Sequence, residues 1–100
     1  MQLTERQKKF LRREAHSLKP VVFAGDKGIS EAVLGEIDSA LEHHELIKIK
    51  VRIGDRETRN AAITRMIDST GATLVSRVGN IAAVYRPRKV KPGIILPKAG

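Results

Sequence analysis

The sequence predicts one two-layer α/β domain with its elements in the order α-β-α-β-α-β-β, and three observations carry that reading. Stretches whose apolar residues recur at helical spacing alternate with short β-branched runs, as in helices packed on a sheet. The last two β-like runs are parted only by Gly79-Asn80, a hairpin signal. A length of 100 residues allows one modest core and no second.

The first helix is expected over about Glu5 to Ser17, with Thr4 as N-cap and Gln7 at capping-box spacing. Leu3, Phe10, Leu11, Ala15 and Leu18 fall on one side of it, and Arg6, Lys8, Lys9, Arg12, Arg13 and His16 on the other. A basic face is usually just a solvated face. Here only Glu5 stands among like charges that repel one another unless an anion is present, which favours a surface turned to a polyanion.

Pro20 ends that region, and Val21 to Ala24 reads as a short buried strand running into Gly25-Asp26-Lys27-Gly28. Two glycines around two polar residues permit a sharp turn that leaves backbone N–H groups uncovered. Lys27 adds positive charge beside the next helix N-terminus. A G-x-x-G loop of this kind grips nucleotide backbone in the RNA-binding KH fold, although the pattern alone more often marks an ordinary turn.

A second helix follows over about Ser30 to His43, capped by Ser30, with Ile29, Val33, Ile37, Ala40 and Leu41 on its core side. Glu31, Glu36, Asp38 and Glu42 make its outer side acidic, a polarity that would turn this helix away from a polyanion. His43-His44-Glu45 closes the helix, where histidines suit the partial negative charge of a C-terminus, and no metal site is read there.

Leu46 to Ile53 is the clearest strand: Ile47, Ile49, Val51 and Ile53 alternate with Lys48, Lys50 and Arg52. The basic ladder is equally a device that keeps a half-open sheet soluble and a track for phosphates. Gly54-Asp55 supplies a turn and cap for a third helix over Arg56 to Ser69. Ala62, Ile63, Met66 and Ile67 form its core stripe and Gly71 its stop. Arg56, Arg59 and Arg65 are exposed basic residues on it whose role spacing leaves open. Ala72 to Arg86 then forms the hairpin that closes a domain of residues 1–86. Pro87, Pro92 and Pro97 make residues 87–100 an extended basic tail, whose Ile94-Ile95-Leu96 either packs back or stays mobile.

Nineteen Lys and Arg against eleven Asp and Glu give a net charge of +8, which points to nucleic acid as the partner class. With no cysteine, there is neither a disulfide framework nor a thiolate zinc site. No apolar run approaches the roughly 18 residues of a membrane span, and the first residues lack the apolar core of a signal peptide; a cytosolic monomer is expected. No convergent carboxylate pair, Walker-type loop or histidine beside a nucleophile suggests catalysis, and no cofactor is expected. Phe10, Phe23 and Tyr85 are the only aromatics. The first two sit at expected core positions, so recognition by phosphate and shape is favoured over base stacking.

The element order, with Leu18-Lys19-Pro20 before the first strand, Leu41-Glu-His-His-Glu-Leu-Ile-Lys48, Thr70-Gly71-Ala72-Thr73-Leu74-Val75 and Val84-Tyr85-Arg86-Pro87, resembles the CRM domain. The stand-alone bacterial YhbY type is the most similar form, over Leu3 to Pro87. The resemblance implies a mixed four-stranded sheet, similar to the C-terminal domain of bacterial translation initiation factor three, and RNA binding. Bacterial members are associated with precursors of the large ribosomal subunit, which makes ribosomal RNA the expected partner. The family's loop falls on Gly25, Asp26, Lys27 and Gly28. Its first variable position is often basic and is Asp26 here, which partly offsets Lys27. The expected RNA-binding set is this loop with Arg6, Lys9, Arg12, Arg13, Lys48, Lys50 and Arg52. The alternative is a protein–protein adaptor on ribosomal particles, acting through the acidic second helix or the tail.

Overall fold

The structure, a computed structural model, describes residues 2–25 and 28–98. Its elements follow the expected order: α1 (Glu5–Ala15), β1 (Pro20–Ala24), α2 (Glu31–His44), β2 (Leu46–Val51), α3 (Arg56–Thr70), β3 (Thr73–Val78) and β4 (Ile81–Tyr85). The helix ends have local causes. Thr4 and Gln7 form a full capping box on α1; Ser30 and Asp55 accept the N–H groups of Val33 and Thr58 at the starts of α2 and α3. Gly71 ends α3 at φ 73°, a left-handed conformation that a glycine adopts without a Cβ penalty.

The sheet is mixed, in the order β1-β2-β4-β3. β1 runs parallel to β2, while β4 is antiparallel to both β2 and β3. The parallel pair needs a crossover, which α2 provides. On one face Ile47, Ile49 and Val51 of β2 and Ala82 and Val84 of β4 meet Ile37 and Leu41 of α2 and Ile63 and Met66 of α3 in the main core. Each of the larger side chains among them contributes about 1.5–3 kcal/mol by leaving water.

On the other face α1 lays Leu11 and Ala15 over Leu46, Val75, Ala83 and Tyr85, with Leu3, Phe10, Ile94 and Leu96 packed around them. This second cluster covers only one end of the sheet. Toward the C-terminal end of β2, beyond Lys48 and Ala83, no helix lies over that face among the described residues.

β1 departs from the buried strand expected of Val21 to Ala24. Val22 and Ala24 face the main core, whereas Val21 and Phe23 are 51% and 60% exposed. Four consecutive apolar residues carry no alternation to reveal a second face, and β1 is an edge strand whose outward side α1 does not reach. Phe23 is therefore not the core residue expected of it. Leu18, also expected on the core side, is exposed in the connection before β1.

The end of the domain opposite the glycine loop is closed by a charged residue. Glu45, at φ 64° just after α2, is fully buried. Its carboxylate accepts the N–H groups of Arg88 at 3.0 Å, Gly93 at 2.7 Å and Ile94 at 2.9 Å, with the Arg88 guanidinium at 3.7 Å. A Cβ on residue 93 would come within 3.2 Å of Glu45 Oε1, so a glycine there allows the close approach. Burial, the largest single influence on Glu45, pushes its pKa up. The three N–H groups and Arg88 together outweigh it and hold the carboxyl below its usual value. The residues after β4 are thus tied to the domain: Ile94 and Leu96 join the second cluster and the Pro97 carbonyl accepts from Gln7 Nε2 at 3.1 Å.

Candidate nucleic-acid interface

The glycine loop leaves β1 at the end of the sheet where β2 also ends, where α2 and α3 begin and where the β3–β4 turn lies. Both of its ends are fixed by neighbours. The Arg52 N–H donates to the Ala24 carbonyl at 2.7 Å, holding the entry against the end of β2. At the exit Ile29 is buried, its carbonyl accepts from Arg65 Nη1, and Arg65 also lies 3.6 Å from Glu31. Arg65, exposed and of open role in the sequence, is a strut between α3 and this loop. The Gly28 N–H donates to the Gly25 carbonyl at 2.9 Å with Gly28 at φ 75°, the left-handed conformation that favours glycine. Asp26 and Lys27 lie outside the described residues.

Period-2 alternation puts Lys48, Lys50 and Arg52 on the face that carries α1, in a line that climbs toward the glycine loop. They are not equivalent. Lys48 Nζ donates to the His16 carbonyl at 3.5 Å, where the negative end of α1 favours a cation. Lys50 and Arg52 make no ion pair or side-chain hydrogen bond among the described residues.

The α1 cations divide between two places. Arg12 borders the open part of the sheet with His16, Lys48, Ser76, Val78 and Ile81, around a groove of about 420 Å³. Arg6, Lys9 and Arg13 surround a different hollow beside Phe10 and Pro97. Glu5 lies 4.0 Å from Lys8 and 3.8 Å from Arg12, both contacts exposed and of little energetic weight.

Sequence spacing missed a third basic group at the loop end. Arg56 and Arg59 from α3 and Arg77 from β3 border one hollow with Gly79, and Arg77 Nη1 donates to Asn60 Oδ1. These arginines come from separate segments, so only the pairing of β3 with β4 and the docking of α3 bring them together. Asp55 stands nearby but is engaged by its own helix. The Thr58 N–H and then the Thr58 hydroxyl, each at 2.8 Å, hold its carboxyl below the usual range.

The other arginines are structural. Arg86 donates to Asp38 Oδ1 at 2.6 Å and the Thr70 carbonyl at 2.8 Å, and lies 3.9 Å from Glu42. With Glu31 beside Arg65, three of the four acidic residues expected to face outward on α2 therefore pair within the domain. No helix among the described residues is long and apolar enough to cross a membrane.

Over residues 3–86 the chain matches the CRS1 / YhbY (CRM) domain. It is 48% identical over 85 residues to a Haemophilus influenzae protein named "RNA-binding protein", a match covering 85% of this chain and 86% of that relative. A Bacillus subtilis protein named "Probable RNA-binding protein YqeI" is 35% identical over 95 residues, 95% of this chain and 99% of its own. The fold is similar to the solution structure of a hypothetical protein from Staphylococcus aureus. The TM-score is 0.81 at 33% identity, over 96% of this chain and 100% of that one.

Proposed function

The chain belongs to the CRS1 / YhbY (CRM) domain family, and from that premise we propose that it is a non-catalytic, cytoplasmic RNA-binding protein, acting as a monomer on ribosomal RNA of large-subunit precursors. The backbone of Gly25–Gly28 grips phosphate, Lys50 and Arg52 extend the track down the sheet, and Lys48 with Arg12 borders it. Arg6, Lys9 and Arg13 add to the positive field from the far side of α1. One observation carries this reading. Lys50 and Arg52, without an ion-pair partner among the described residues, lie in line with a glycine turn whose two ends are braced by Arg52 and Arg65. Such bracing fixes where the loop leaves β1 and where it enters α2.

Sedimentation of tagged protein from lysate at low and moderate salt tests it, with Gly28→Asp as the loop variant and Lys50→Glu as a variant at a half-buried site on the rigid sheet. Wild type should travel with large-subunit precursors at low salt, and both folded variants should remain at the top of the gradient. Wild type at the top in both salts would contradict the ribosomal assignment. Co-migration that survives nuclease and salt would move the reading to a protein partner.

A further inference from the structure

The row of the sheet just beyond α1 is open. Cross-strand register aligns Phe23 of β1 with Lys50 of β2, Lys50 with Ile81 of β4, and Ile81 with Val78 of β3. All four face the side that carries α1, since Val22, Ala24, Ile49, Val51 and Ala82 are buried on the opposite side. Phe23 and Val78 are 60% and 76% exposed. Of the three aromatic residues, Tyr85 is buried and Phe10 packs in the second cluster, so Phe23 is the only aromatic ring largely open to solvent.

Single exposed apolar residues are ordinary. Here the arrangement is specific: an aromatic ring on the strand that runs directly into the glycine loop, about 4.8 Å of strand spacing from a lysine without a partner among the described residues. A ring offers one face to a nucleobase, and a cation one strand away meets the flanking phosphate. A protein partner fits less well, because lysine is depleted from the cores of protein interfaces and Lys50 splits this apolar surface in two. Strand addition by a second copy is opposed by β1 itself. Pro20 lacks an N–H and the register slips between Pro20 and Val22, two features that blunt a sheet edge.

We propose that Phe23, Lys50, Ile81 and Val78 form a platform for an unpaired RNA base stacked on Phe23, which makes single-stranded RNA the preferred ligand of this face. The proposal deepens the RNA-binding reading and rests on it. It also revises the expectation that phosphate and shape are favoured over base stacking, which assumed a buried Phe23.

The test is fluorescence anisotropy of one labelled oligoribonucleotide, single-stranded and then as a duplex, titrated with wild type, Phe23→Ala, Phe23→Leu and Phe23→Tyr across a range of salt. Phe23→Ala should weaken single-strand binding about five- to hundred-fold, the range for loss of one stacked base. Duplex affinity and the salt slope should stay as in wild type, because no phosphate contact is lost. Tyrosine should restore binding and leucine should not. Single-strand affinity unchanged in Phe23→Ala, equal losses on both RNAs, or full rescue by leucine would overturn the platform while leaving the RNA reading in place. A dimer abolished by Phe23→Ala with RNA binding intact would likewise overturn it, in favour of self-association. Failure of wild type to bind either RNA would remove the RNA-binding reading and the platform together.

Discussion

The two ends of the sheet hold their arginines differently. At the tail end the two arginines are held by the fold, Arg86 by Asp38, Glu42 and the Thr70 carbonyl and Arg88 by Glu45 and the His43 carbonyl, while the exposed Lys89, Lys91 and Lys98 have no ion-pair partner among the described residues. At the loop end Lys50, Arg52, Arg56 and Arg59 have no ion-pair partner among the described residues. An arginine in this chain therefore says little about nucleic acid until its neighbours are known. Net charge marks the chain as suited to polyanions, and knowing which arginines the fold already uses narrows the candidate surface.

The comparison breaks most readily at Glu45. Replacing it by Ala removes the acceptor for three backbone N–H groups and leaves Arg88 beside a hollow, which should cost about 2–4 kcal/mol. For a domain of this size the melting temperature would fall by at least about 8 °C. Circular dichroism checks this, and RNA affinity measured well below the transition should be unchanged. If RNA binding fell in parallel with a preserved fold, the division between the two ends would be wrong.

Acid sharpens the same point. The folded Glu45 carboxyl has a pKa below the ordinary 4.5, so its contribution is fully present above pH 4.5 and is lost as pH falls through the lower folded value. Denaturant titrations of wild type and Glu45→Gln should differ by a constant amount at neutral pH and converge below pH 4.5. A gap that persists well below that range would mean that the carboxylate's charge is not what holds the tail.

The smallest effects on stability belong to the loop end. The double variant Lys50→Ala, Arg52→Ala should shift stability by no more than about 0.5 kcal/mol for each residue. The salt slope of single-strand RNA binding should fall by about 1.4, or about 0.7 for each lost phosphate contact. A large loss of stability with an unchanged slope would make these cations structural like Arg86.

Local signals made most of the fold legible. Thr4 with Gln7, Ser30, Asp55 and Gly71 mark helix ends through side-chain or backbone chemistry confined to one turn, and Gly79-Asn80 marks the hairpin. Alternation in β2 separated its core residues from Lys48, Lys50 and Arg52. What escaped depends on tertiary contact. Helical spacing identifies the apolar side of α1 but not that it covers only half of a sheet face, and that half decides the fate of Phe23. Glu45 reads only as part of the close of a helix. Its burial follows from the return of Gly93 and Ile94 across a separation of 48 and 49 residues. The hollow formed by Arg56, Arg59 and Arg77 has the same kind of origin.

The most direct test of the division between the ends is a two-dimensional amide NMR titration of the labelled protein with a short single-stranded RNA. The account predicts the largest shifts at Phe23, Gly25, Gly28, Lys50 and Arg52, with Glu45, Arg86, Arg88 and Ile94 nearly unmoved. Shifts centred on Glu45 and the residues after Arg86, with Lys50 and Gly28 still, would contradict it and place the RNA at the end the protein uses to close its own fold.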